Sequence, residues 1–421
     1  MLISSVRKII FNKGLIEQSL NSLLNFIIIL VYGNLLNPSE FATFIVIFSG
    51  IGLVFLIVTG IWAAPVLVFL PTKFKDEKYL YIKSLLFINI ISSSIFGVIS
   101  LMSLHAFVKS LSFTEFVCGV LIIVTWSTYE LLRKTFYAID RLGYILIGSC
   151  IIVFVFLVGN FIVQKDLDIN MSLFIIFISY FIAMVIVISL VIYAGKGIAQ
   201  KHSSERVPAG ILLTHWNYAK WTTIGNICYW LCTQGYFVLI VNFVSDAELG
   251  GLRTSMNLLG LITILLVLFE NKITPKASRI YFNQGIFDLK KYVYSFYKAR
   301  AIPFVFIIII ATLVAYFSYP FIFGNGYSEF AYLTVFFGVY QLLLGINRPA
   351  VIGLRALNIT KPFFVGNLLC AFVTLGLGIV LTSYYGVVGA VSGIVIATLV
   401  LSGYFVYSFY KVINKKINVC G

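Results

Sequence analysis

The chain has 421 residues, of which 61% are hydrophobic, 16% aromatic and only 11% charged, with a mean hydropathy of +1.03 and a formal net charge of +15. Soluble globular proteins are about half apolar and about a quarter charged, so this composition excludes a soluble catalytic domain of any size. Crossing a ~30 Å hydrocarbon core takes about 20 residues of helix, and apolar runs of that length recur along the whole chain.

In chain order, Arg7, Lys8 and Lys13 precede an apolar stretch that starts near Leu15 and is followed by no small-residue cleavage site. It reads as a retained first span rather than a removed signal peptide. Dividing the remaining runs at Gly, Pro and charge clusters predicts twelve helices, over about 15–35, 41–69, 82–104, 112–132, 144–164, 172–195, 218–244, 247–270, 301–323, 329–347, 362–383 and 386–410. The expected fold class is an all-α polytopic membrane protein with two six-helix lobes, 1–195 and 218–421, joined by a cytoplasmic linker over 196–217. Segment 271–300 sets Phe282, Ile286, Leu289, Val293 and Phe296 at helical spacing. It predicts an amphipathic helix over about 280–298 on the inner membrane surface, with a solvated linker as the alternative. Pro65, Pro303 and Pro320 are expected to kink their helices and serve as hinges.

Charge placement tests this topology, because Lys and Arg beside spans stay on the cytoplasmic side. With the N-terminus inside, Lys109 and Lys165 fall in outer loops and Arg253 within a span, and all the others of the 30 basic residues lie on the inner side. Both termini are therefore expected in the cytoplasm. The basic residues punctuate spans and form no separate domain, so the charge reads as attraction to anionic membrane lipids and not as nucleic-acid binding. Cys118, Cys150, Cys228, Cys232 and Cys370 lie in apolar runs and behave as small hydrophobes. Cys228 and Cys232 share a helix face without a His or third Cys nearby in the sequence, so neither a metal site nor a disulfide framework is expected.

An offset of 208 positions aligns Gln18 with Asn226, Asn34 with Asn242, Glu40 with Glu248 and Gly52 with Gly260. Six spans is an even number, so two such halves would share one orientation about an axis along the membrane normal and enclose a cleft.

Polar residues that share a face of a spanning helix mark a wet or substrate-lined surface, or hydrogen bonds between helices. Span one carries Gln18, Asn21, Ser22 and Asn25; span seven carries Thr222, Asn226, Tyr229, Thr233 and Tyr236. Such neutral and aromatic faces suit a carbohydrate. In span eight, Arg253 shares a face with Gly250, Asn257 and Gly260. An arginine at membrane depth costs about 2.5–3.5 kcal/mol on insertion scales, so it needs a partner, a wet cavity or an anionic group such as a phosphate. Snorkelling to the outer headgroups is the competing reading. Glu17 and Glu270, near span ends, are candidate proton or sodium coupling sites; Glu130 and Arg133 are three apart and predict an intrahelical ion pair. His105 and His215 fall at span boundaries and read as interfacial.

An enzyme is not expected. Asp166 and Asp168 lie in a short outer loop without further acids or His, too little for a metal-assisted transferase, and no outer loop has room for a polymerase's catalytic residues. The basic signature of major-facilitator carriers is missing between spans two and three, where the chain reads PTKFKDEKYLYIK from Pro71 to Lys83.

Three stretches resemble one family. They are Tyr32-Gly-Asn-Leu-Leu-Asn-Pro-Ser-Glu-Phe41 at the first turn, Glu130-Leu-Leu-Arg-Lys-Thr-Phe-Tyr-Ala-Ile-Asp-Arg141 after span four, and Arg348-Pro-Ala-Val-Ile-Gly-Leu-Arg-Ala-Leu357 in the second half. With the twelve-span layout they are similar to the Wzx-type polysaccharide repeat-unit flippases of the multidrug, oligosaccharidyl-lipid and polysaccharide (MOP) exporter superfamily. The resemblance implies a V-shaped pair of lobes in the bacterial inner membrane. By alternating access they would pass an undecaprenyl-pyrophosphate-linked oligosaccharide from the inner to the outer leaflet for the assembly of a surface polysaccharide, O-antigen or capsule. A polysaccharide polymerase and a chain-length regulator are the implied partners. The resemblance also implies a cationic cleft residue for the pyrophosphate, matched here by Arg253, with Lys220 or Lys13 near the inner mouth. No nucleotide-binding motif occurs, so ion coupling or downstream consumption would set direction. The strongest rival is an ion-coupled drug or metabolite exporter of the same fold, which would carry a dry aromatic pocket with a deep carboxylate.

Overall fold

The apolar runs fold as helices throughout a computed structural model that describes residues 13–70, 73–74, 76–139, 141–164, 166–195, 210–357, 359 and 361–420. Arg7, Lys8, most of the 196–217 linker, and the side chains of Lys13, Thr222 and Glu270 lie outside the described residues. The helices are α1 (Lys13–Leu35), α2 (Pro38–Val58), α3 (Val66–Phe69), α4 (Lys78–Phe107), α5 (Phe113–Ala138), α6 (Leu142–Val163) and α7 (Ile169–Gly195). They continue as α8 (Ile211–Cys232), α9 (Gln234–Ile240), α10 (Asp246–Gln284), α11 (Ile286–Phe323), α12 (Leu333–Ala356), α13 (Lys361–Val373) and α14 (Ile379–Cys420). Among the described residues there is no strand, and nine helical segments are long and apolar enough to cross a membrane.

Two compact units divide the chain: Met1–Ile28 with Thr43–Ile227, and Ile29–Ala42 with Cys228–Gly421. The division falls inside α1, α2 and α8, so the first unit takes in residues up to Ile227 that lie beyond the linker expected from the sequence. A buried histidine ties this segment down. His215, placed at a boundary by the sequence, is fully buried, with Nε2 2.8 Å from the Tyr81 hydroxyl and Nδ1 2.9 Å from the Ile61 carbonyl. The rings of Trp62, Phe69 and Tyr81 surround it, and Lys73 Nζ donates to Thr214 Oγ1 at 2.8 Å.

In the first unit α5 packs on α4 and α7, and α7 on α6. Trp126 stacks between Phe48, Phe55 and Tyr180. Near Pro65, α2 gives way to a π-helical turn, Thr59–Ala63, closed by the Ala64 N–H on the Thr59 carbonyl at 2.9 Å. In the second unit α12 packs on α10, α11 and α14. Pro303 and Pro320 lie within the continuous α11.

The aligned positions of the repeat share a local device. Asn37 Oδ1 accepts the Glu40 N–H at 2.9 Å, and Glu40 Oε2 accepts from the Asn37 N–H at 3.4 Å. Ser245 and Glu248, 208 positions later, exchange the same pair of bonds at 3.2 and 2.8 Å. Each carboxylate satisfies otherwise orphaned N–H groups at the start of its helix.

Three expectations need correction. The helix predicted over 280–298 is two helix ends: α10 continues to Gln284, the chain turns at Gly285 with φ +86°, and α11 begins at Ile286. Glycine adopts that backbone without a Cβ penalty. Ile286, Leu289 and Val293 are buried against Ala350, Leu354, Phe409 and Ile413 of the same unit, while Phe287, Tyr294 and Tyr297 face outward. The span predicted over 218–244 is broken at Thr233 into α8 and α9. A third cysteine does lie near Cys228 and Cys232: Cys370 of α13 shares their apolar cluster. Among the described residues no group of three or more His, Cys, Asp or Glu is placed to hold a metal.

The turn within α14 gives a stability prediction. Gly386 has φ +56° and ψ −138°, and a Cβ at Gly389 would lie 2.0 Å from the Leu381 carbonyl oxygen. The obstacle is backbone, so Gly389→Ala is expected to lower stability by about 1–3 kcal/mol. Thermal unfolding of the detergent-solubilised protein would read this loss, with Gly403→Ala, where a Cβ meets nothing within 4 Å, as the control.

Candidate functional site

The first unit buries a charge network where α1, α5 and α6 meet. Glu17 is 0% exposed and Arg133 7%. Arg133 grips the carboxylate with two donors, Nε to Oε1 at 2.6 Å and Nη2 to Oε2 at 3.1 Å. Asn21 Nδ2, the Ser149 hydroxyl at 3.1 Å and the Tyr137 hydroxyl at 2.6 Å also donate to Glu17. Five donors thus saturate an acceptor with about four lone-pair positions. Arg133 further donates to both oxygens of Glu130 at 3.1 Å and to Gln18 Oε1 at 2.5 Å, while Lys134 Nζ lies 3.2 Å from Glu130. Two carboxylates and two cations make the cluster electrically balanced, the condition for keeping charge out of water.

The polar face predicted on α1 therefore divides. Glu17 turns inward, Asn21 is half-buried between Glu17 and Ser149 Oγ, and Gln18 and Asn25 are exposed. The i,i+3 pair of Glu130 and Arg133 forms as the spacing predicts, but it is one edge of a network that reaches from Glu17 to Ser149, 132 positions apart in sequence.

In the second unit the charge is not balanced. Arg253, on the second turn of α10, is 8% exposed, donates through Nη1 to Gln234 Oε1 of α9, and stands 5.1 Å over the Phe237 ring. Its Nε is buried without a hydrogen-bond partner, and no ion pair among the described residues includes it. Two glycines beside it admit aromatic rings: a Cβ at Gly250 would lie 2.5 Å from Tyr327, and one at Gly251 2.4 Å from Phe330. Asn257, one turn on, is half-buried. On α8, Asn226 is half-buried in the first unit and faces Gly60, whose Cβ would lie 3.4 Å from Asn226 Nδ2. Tyr229 is 51% exposed, and Thr233 is buried with its hydroxyl on the Tyr229 carbonyl at 2.9 Å. Tyr236 is buried, with its hydroxyl 2.8 Å from that of Thr382.

Sequence reasoning missed Gln234, Tyr137 and Ser149. Gln234 carried a visible signal, a long polar side chain inside an apolar segment. Tyr137 and Ser149 did not, because only the fold brings them to Glu17.

No protein-family model matches the chain, and no curated protein matches it in sequence. Solved structures do match in shape. An inward-facing multidrug-resistance MATE family transporter of the MOP superfamily superposes with a TM-score of 0.72 at 10% identity, covering 95% of this chain and 98% of that one. The chain has the fold of the MATE transporters. A Vibrio cholerae MATE transporter matches with a TM-score of 0.63 at 14% identity over 98% of both chains. The lipid II flippase MurJ in an inward closed conformation matches with a TM-score of 0.64 at 14% identity, over 93% of this chain and 86% of its own. With this MATE-like fold and nine apolar helical segments among the described residues, the chain is a multi-pass membrane protein.

Proposed function

We propose that the chain is a flippase that carries an undecaprenyl-pyrophosphate-linked oligosaccharide repeat unit across the bacterial inner membrane by alternating access, for the assembly of a surface polysaccharide such as O-antigen. The observation that carries this reading is the contrast between the paired charges of the first unit and Arg253 in the second. Glu17 is already matched by Arg133, whereas Arg253 has only the neutral Gln234 and an unsatisfied Nε. Glu115, equally buried, is taken up at the start of its own helix by the Ser112 N–H at 2.7 Å, so among the described residues Arg253 is the buried charge with neither an ion pair nor a helix cap; a guanidinium suits a phosphate oxygen through two parallel donors. Asn257 lies one turn from Arg253, and the exposed Gln18, Asn25 and Tyr229 and the half-buried Asn226 are assigned to the glycan as neutral hydrogen-bonding and aromatic partners, whereas the candidates Asn21 and Thr233 are taken up within the protein, by Glu17 and Ser149 and by the Tyr229 carbonyl. A hydrated glycan cannot cross hydrocarbon unaided, because each unpaired polar group costs several kcal/mol there. Reported as a lipid II flippase, MurJ supports lipid-linked cargo for this fold.

A second reading has its own observation. The MATE neighbour reported as a multidrug-resistance transporter shares the fold, and Glu17 is a carboxylate buried within the first unit. An ion-coupled exporter of small molecules would use Glu17, with Glu270 as a further coupling candidate, by exchanging Arg133 for a proton or sodium ion.

Deleting the gene in its host and extracting lipid-linked oligosaccharides separates these readings. A flippase predicts single repeat units accumulating on the carrier lipid, with surface glycan lost. An unchanged glycan profile assigns the chain to small-molecule export, and single units attached at the surface without long chains would point to a polymerase.

A further inference from the structure

The start of α11 borders two adjoining grooves in the second unit. One, of about 520 Å³, is bordered by Phe287, Lys290, Lys291, Tyr294 and Tyr410. The other, of about 360 Å³, shares Tyr297, Ile346 and Pro349 with the first and continues along Phe304 and Ile307. Its walls are apolar apart from Arg348, which already has interactions within the protein. Much of this lining faces outward: Phe287 is 58% exposed, Tyr294 60%, Ile346 44% and Ile307 49%. The floor is shaped by Gly345, where a Cβ would run into the Phe304 ring.

The polarity of the grooves runs one way along the helix. Lys290 and Lys291 stand in the stretch before the apolar segment Ala301–Phe323, while Phe304 and Ile307 lie inside that segment. Helix rises 1.5 Å per residue, so Lys290 to Ile307 covers about 25 Å, comparable with the ~20 Å thickness of one lipid leaflet, with Ile307 about 9 Å beyond Ala301. The tyrosines sit between, at the depth where a ring with a polar tip is favoured. Positive charge at the surface, aromatic rings at the boundary and an aliphatic slot below make a chemical negative of an anionic lipid. We propose that this groove is a binding site for an anionic membrane phospholipid, its phosphate on Lys290 and Lys291 and one acyl chain along Tyr297, Ile346 and Ile307. The site lies within the second unit, and it does not depend on the transport reading.

Native mass spectrometry of the full chain in detergent, titrated with dioleoylphosphatidylglycerol and separately with dioleoylphosphatidylcholine, tests this. Each lysine near a membrane surface contributes about 1 kcal/mol toward an anionic headgroup, so the wild type is expected to prefer phosphatidylglycerol by about tenfold or more. Lys290→Gln/Lys291→Gln should remove that preference. Ile346→Trp, at an exposed position that tolerates bulk, should block the slot and weaken phosphatidylglycerol binding several-fold with both lysines in place. No preference in the wild type, or an unchanged preference in either variant, overturns the proposal. So does displacement of phosphatidylglycerol by undecaprenyl phosphate at a tenfold lower concentration, which would make the groove a carrier-lipid site instead.

Discussion

Replacing Arg133 with alanine is expected to destabilise the protein by about 3–5 kcal/mol, because it leaves the buried Glu17 carboxylate without a countercharge. Asn21, Tyr137 and Ser149 would still donate to it, but neutral donors do not cancel a charge held at 0% exposure. Glu17→Gln should cost less, since Arg133 keeps both oxygens of Glu130 and Gln18 Oε1. The asymmetry is the diagnostic part: the order of melting temperatures should be wild type, Glu17→Gln, Arg133→Ala. The drop for Arg133→Ala should be on the order of 5–10 °C by the usual scaling for a large domain. The double change Glu17→Gln/Arg133→Gln should be more stable than Arg133→Ala, because no uncompensated charge remains. Equal melting temperatures for wild type and Arg133→Ala would show that the network carries no stability. If the double variant is folded and inserted normally, its transport rate then separates a structural clamp from a coupling site. A clamp leaves transport intact, and a coupling carboxylate does not.

What the sequence made legible follows the range of the interaction. Helix starts are local, and Asn37 with Glu40 and Ser245 with Glu248 can be read from three-residue spacing, as can the Glu130–Arg133 pair. The apolar runs are equally local. The partnership of Glu17 with Arg133, Tyr137 and Ser149 is not, because it depends on how α1, α5 and α6 are laid together. Cys370 joins Cys228 and Cys232 for the same reason. The misplaced 280–298 helix has a different cause. Its apolar spacing does mark buried positions, Ile286, Leu289 and Val293, but the same pattern serves a membrane surface or a protein core equally well. Only Gly285, in a left-handed conformation, marked where the chain would turn. Arg253 was legible as an anomaly from cost alone, and its neutral partner Gln234 was a polar residue within reach of the same reasoning.

Arg253→Ala, at normal protein level, is expected to reduce glycan export by about ten- to a hundredfold, the loss of about 1.5–3 kcal/mol that a hydrogen bond to a charged group supplies. Single repeat units on the carrier lipid should accumulate in step with that loss. Arg253→Lys should be intermediate, because an ammonium keeps the charge but not the planar fork. The contrast with Gln234→Leu decides what the guanidinium is for. If Arg253 serves only to hold α10 against α9, removing either end of the Nη1–Oε1 bond should cost stability and export alike. If its work is to meet an anionic cargo group, Gln234→Leu leaves the cation in place over Phe237 and export should largely survive. Melting temperature supplies the second axis: Arg253→Ala should leave it near the wild-type value, because deleting a buried cation with an unsatisfied Nε removes a desolvation cost along with the bond. Full export by both Arg253→Ala and Arg253→Lys would remove the phosphate-binding role and return weight to the small-molecule exporter. Loss of export with normal melting would leave the cargo's own charge as the missing partner of Arg253.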